Sequence, residues 1–148
     1  MRLSIKVLII TFILGAFAFY AGQALWPKSP DFLPNATQLF LLNVIYFIEA
    51  LLFGFGIALF YFGLAPIKET SKNMRRKTML AFISLCWLLV SWYPHDIAHA
   101  YNGFSMKGLV IIEYAFHLTL IVATLLIVSY IYSVASSNNQ QQNFINGK

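Results

Sequence analysis

The sequence predicts an all-α integral membrane protein, a four-helix bundle running up, down, up and down with both termini in the cytoplasm. Three observations predict it. Four apolar stretches, roughly Leu3–Trp26, Thr37–Ala65, Thr78–Tyr101 and Lys107–Ala135, each reach the ~20 residues needed to cross a hydrocarbon core. Of the 148 residues 59% are hydrophobic and 10% charged, and the mean hydropathy of +0.71 is too high for a soluble domain of this length. The net charge of +5 is gathered on one side, in Arg2, Lys6 and the run Lys68–Lys77, whereas the other two connections carry only Lys28 and Lys107. Under the positive-inside rule that asymmetry places the N-terminus, the basic run and the C-terminus in the cytoplasm of a plasma-membrane protein. A basic run at a membrane also attracts anionic headgroups, but its first meaning is topological.

In the first span the uncharged run Val7–Pro27 is longer than the ~7–15 residues of a signal-peptide core, so a retained helix is expected despite the small-residue stretch Ala16-Phe17-Ala18. Thr11, Gly15, Ala18 and Gly22 share one narrow stripe, where a neighbouring backbone can approach closely. Three prolines between Pro27 and Pro34 stop this helix and force an extended crossing, after which Asn35 or Thr37 caps the second. Asn35-Ala36-Thr37 is also a glycosylation sequon, meaningful only in a glycosylating host.

On the second span Gln38, Glu49, Gly56 and Gly63 fall on one stripe, and Pro66 is expected to end the helix. The third places Ser84, Ser91, His95, His99 and Asn102 on one face, with Pro94 kinking it by freeing the Val90 carbonyl. Cys86, the only cysteine, lies mid-span and behaves as a small apolar residue. Asn102-Gly103-Phe104-Ser105 makes a tight outer turn with Ser105 as a cap, and the fourth span carries Glu113, His117 and Thr124 on one face. Each polar or small face is expected to point inward. The spans occupy 1–135 as one domain with no room for a soluble one, and the polar tail 136–148 is expected to be disordered.

Within this apolar frame Glu49, His95, Asp96, His99, Glu113 and His117 must find partners away from water, and no lysine or arginine lies at their depth. A charged side chain at the bilayer centre costs roughly 3 kcal/mol on insertion scales. Three means of neutralisation remain: protonated carboxyls, imidazolium–carboxylate pairs or a bound cation. With a rise of about 1.5 Å per residue, His95 and Glu113 come roughly 10 Å below the outer surface, His117 about 15 Å and Glu49 slightly deeper. Three helices thus bring titratable groups into one layer. Helix glue alone accounts poorly for this many groups, since interhelical hydrogen bonds contribute only about 0.6 kcal/mol each.

Two histidines at i and i+4 on one helical face can hold one ion, and His95-Asp96-Ile97-Ala98-His99 resembles the His-Glu-x-x-His of zinc metallohydrolases, with aspartate in place of glutamate. The resemblance implies Asp96 as general base and Glu113 or His117 as the third ligand; aspartate is one methylene shorter. His95-Asp96 is also similar to the dipeptide of HD phosphohydrolases, whose other ligands have no counterpart here. The histidine boxes of membrane desaturases need more than three histidines.

The expected ligands are therefore His95, His99, Glu113, His117 and Glu49, a mixed nitrogen and oxygen set that suits zinc, copper, iron or manganese. A haem on His95 or His99 and His117 is disfavoured, because three acids make a poor wall for it. The reading is a small membrane protein with a transition-metal site and a redox or hydrolytic role. The alternatives are an accessory subunit of a larger membrane complex and a proton or ion conductor. Lipid, other membrane subunits or a second copy are the expected partners, and nucleic acid is not.

Overall fold

The structure, a computed structural model, describes residues 3–25, 35–68, 72–102 and 106–146. Among them it is entirely helical: α1 (Leu3–Leu25), α2 (Ala36–Lys68), α3 (Lys72–Val90), α4 (Trp92–Asn102) and α5 (Met106–Asn146). Lipid offers backbone groups no hydrogen-bond partners, so a helix, which satisfies them internally, is the form such a sequence must take. α1, α2 and α5 are each long and apolar enough to cross a membrane, and α3 with α4 passes the same test as one span bent by 41°.

The contacts run antiparallel throughout. On α1 and α2, Thr11 lies against Gly54, Gly15 against Ala50 and Leu51, and Ala18 against Tyr46. Between α2 and the bent span, Gly63 meets Phe82, Gly56 meets Val90 and the Phe53 ring packs against Tyr93 at a tilt of 41°. Between α3 and α5, Lys77 Nζ donates to Ser133 Oγ at 3.1 Å and Trp87 Nε1 to Thr119 Oγ1 at 3.1 Å. Residue numbers rise on one helix as they fall on its neighbour, as short connections require.

The α1–α2 seam is built from small residues. The Thr11, Gly15, Ala18 and Gly22 stripe is buried as expected, and it meets Tyr46, Ala50 and Gly54 on a face of α2 that the polar stripe on that helix concealed. The Gly56 and Gly63 face turns instead toward α3. Gln38 does not join it: it is exposed, and its Oε1 accepts from Asn35 N while Asn35 Oδ1 accepts from Gln38 N, a reciprocal cap that starts α2. Tyr46 and Tyr93 both donate their hydroxyls to the Ala18 carbonyl, at 3.2 and 2.8 Å, tying α2 and α4 to α1.

The kink expected at Pro94 is present, and three helix bounds run beyond the spans read from the sequence. The third span breaks at Ser91, one turn before the site, because Pro94 cannot donate to the Val90 carbonyl and its ring crowds that turn. The ladder persists on either side of the break, with Ser91 N on Trp87 O at 2.9 Å and His95 N on Ser91 O at 3.2 Å. α2 runs two residues past Pro66, and α3 starts at Lys72, so much of the basic run is helical. α5 continues to Asn146 through the segment whose composition reads as a disordered tail, since adding a residue to an existing helix is far easier than nucleating one. The proline-rich crossing, the turn at Gly103 with Ser105 as cap and residues 69–71 lie outside the described residues.

Finally, α2 packs on α1 and on both halves of the bent span, whereas α5 packs on α3 and α4 without comparable contact to α1 or α2 among the described residues. α5 therefore buries only a narrow strip that includes Phe116 and Ala123. Its polar face is not turned inward. Thr124 is exposed and donates to its own Leu120 carbonyl, and His117 is likewise exposed.

Candidate metal centre

The bend at Ser91 presents the first two turns of α4 to the N-terminal part of α5. His95 and His99, one helical turn apart, point the same way, and their Nε2 atoms lie 3.0 Å from each other. Glu113 on α5 completes the group: its Oε1 is 2.9 Å from His99 Nε2 and 3.9 Å from His95 Nε2. All three ligand atoms fall within 4.8 Å of one another. Around a tetrahedral ion with bonds of ~2.0–2.1 Å, neighbouring ligand atoms stand ~3.3 Å apart. The observed separations bracket that value.

Each of these residues has a support. Asp96 Oδ1 lies 3.1 Å from His95 Nδ1, the ring nitrogen away from the convergence point. The Phe116 ring stacks on the His95 imidazole, with centroids 3.9 Å apart and 21° between planes, and Trp92 meets Phe116 edge-on. His117 Nδ1 is 3.0 Å from Glu113 Oε2 and 2.9 Å from the Glu113 carbonyl oxygen. Exposure rises across the cluster, from 12% for the His95 side chain through 27% for His99 and 44% for Glu113 to 60% for His117. The site is thus anchored on α4 and opens on the outward face of α5.

The sequence-predicted residues divide accordingly. His95, His99 and Glu113 converge. His117 is adjacent, its ring centroid 6.5 Å from that of His95, but it holds the second oxygen of Glu113 and stands outside the group of three. Glu49 is also outside that group; its carboxyl faces that of Asp96, and its Oε2 is buried with no hydrogen-bond partner among the described residues. Asp96 lies against the His95 ring nitrogen on the side away from Nε2.

Three nitrogen and oxygen atoms from two helices, with carboxylates behind them, form a donor set for a borderline cation. The His95 and His99 rings meet edge to face, and their Nε2 atoms with the Glu113 carboxylate could hold a single ion. Sequence reasoning passed over Phe116 and Trp92, which looked like ordinary core aromatics; Phe116 was detectable only as the neighbour of His117. It also passed over Tyr93 and Tyr46, whose shared grip on Ala18 fixes the start of α4. No family model, curated protein or solved structure matches the chain.

Proposed function

We propose that this multi-pass membrane protein, N-in and C-in across the plasma membrane, holds one transition-metal ion, zinc, copper or iron, on His95 Nε2, His99 Nε2 and Glu113 Oε1. The convergence of those three atoms within 4.8 Å carries the reading. Two histidines and one glutamate are a donor set used for catalytic zinc, with a fourth position left to water or substrate. A bound ion would supply Lewis acidity or redox chemistry at that position. The chain's own groups have defined tasks: Asp96 fixes the His95 ring and its tautomer, Phe116 clamps that ring from one face, and His117 orients the Glu113 carboxylate. A hydrolytic or redox role follows from the open position.

Elemental analysis tests this directly. Wild type purified without a histidine tag is expected to hold about one metal per chain, and the His95→Ala/His99→Ala variant none. Equal content in the two would end the proposal. A second reading has one observation in its favour: Asp96, His95, His99, Glu113 and His117 form an unbroken series of contacts of 2.9–3.1 Å, as a proton relay would need. Metal-free wild type that carries protons across a liposome membrane would favour that reading.

A further inference from the structure

The opposite end of the bent span carries a feature that the metal site does not use. α3 opens with a cluster of basic residues and contains no acid. Arg75, Arg76 and Lys77 are all exposed, and Lys77 is turned to Ser133 of α5. One turn deeper, Met79 and Leu80 form the walls of a groove of about 440 Å³ with the two arginines at its rim.

An exposed apolar stripe runs on along the helix. Arg76, Leu80, Ile83 and Trp87 follow one another at intervals of four, three and four residues, which places them on one face. Leu80, Ile83 and Trp87 are 40%, 45% and 42% exposed. From Arg76 to Trp87 the stripe is about 16 Å long at the rise of an α-helix. That matches one leaflet, half of a hydrocarbon core of about 30 Å. A guanidinium pair at the surface above an apolar track one leaflet deep has the shape and charge of a phospholipid's complement.

We propose that Arg75 and Arg76 bind the phosphate of one anionic phospholipid in the cytoplasmic leaflet, with an acyl chain lying along Leu80, Ile83 and Trp87. Arginine suits the role because its planar fork matches two phosphate oxygens at once. Attraction to anionic lipid contributes roughly fivefold in affinity per juxtamembrane cation, so the arginine pair should give a preference of roughly 30-fold.

The test uses the full chain in phosphatidylcholine nanodiscs carrying small amounts of dibrominated phosphatidylglycerol or dibrominated phosphatidylcholine. Quenching by bromine in the acyl chain reports lipid at Trp87, isolated as the difference from Trp87→Phe. Saturable quenching is expected at far lower mole fraction of the anionic lipid, with the preference lost in Arg75→Gln/Arg76→Gln and partly kept in Arg75→Lys/Arg76→Lys. Equal quenching by the two lipids in wild type overturns the proposal, and that comparison decides even if a variant fails to fold. Soluble glycerol phosphate that displaces the lipid at equal concentration also overturns it, since only the phosphate would then be recognised. An unchanged preference in the glutamine variant would move the site elsewhere.

Discussion

Substituting Gly54 by alanine puts the α1–α2 seam under a load that the structure specifies. A Cβ built there would stand 2.5 Å from the Thr11 carbonyl oxygen, 2.7 Å from Gly15 N and 3.2 Å from Gly15 Cα. All three are backbone atoms of α1, so no rotamer change relieves the clash, and the helices must separate by several tenths of an ångström to reach the 3.4 Å of ordinary contact. Overpacking of this kind costs about 1–3 kcal/mol. Alanine returns up to about 1 kcal/mol through its higher helix propensity, which leaves a net loss of roughly 1–2 kcal/mol. Gly15 supplies the control: its Cβ would meet the flexible tip of Leu51 at 3.0 Å and the Ala50 carbonyl at 3.2 Å, so the propensity gain should nearly cancel the crowding. Thermal unfolding in detergent micelles should therefore rank Gly54→Ala below both wild type and Gly15→Ala, with metal content unchanged because α4 and α5 are untouched. Gly54→Ala as stable as wild type, or less damaging than Gly15→Ala, would refute the seam.

The supporting residues of the site should behave unlike the ligands. Asp96→Ala and His117→Ala are each expected to weaken metal binding about 10–100-fold, as loss of an outer partner does, whereas His99→Ala removes a ligand and should abolish stoichiometric metal; competition with a chromophoric chelator measures both. Loss as complete in the two outer variants as in His99→Ala would remove the distinction. For orientation, a reporter fused after Lys148 should be cytoplasmic and one inserted near Pro30 external. The reverse pattern would move the His95 layer and the Arg75–Arg76 pair to the opposite sides.

The sequence by itself determined that the chain crosses a membrane as helices, because apolar runs of this length have no other way to satisfy their backbone in lipid. It also led to the expectation that His95, His99 and Glu113 come to one level of the bundle, where they do converge, since antiparallel order and a constant rise per residue place each at a calculable height. The Thr11–Gly22 stripe was legible for the same reason. Helical phase, however, gives a face and not a neighbour. Phase alone could not tell that Tyr46, Ala50 and Gly54 cover α1 while Gly56 and Gly63 cover α3, because α2 packs on both sides. Nor could it tell that, among the described residues, α5 packs chiefly on the bent span, which leaves His117 on an open face. Only the tertiary structure separated the three converging residues from those beside them. The side chains of His95, Asp96, His99, Glu113 and His117 all reach the same layer, and differences of an ångström or two between ring nitrogens and carboxylate oxygens decide which three atoms can share one ion. Those differences come from the 41° bend at Ser91 and from the Phe116 ring against His95, contacts between residues distant in the chain that no local periodicity encodes.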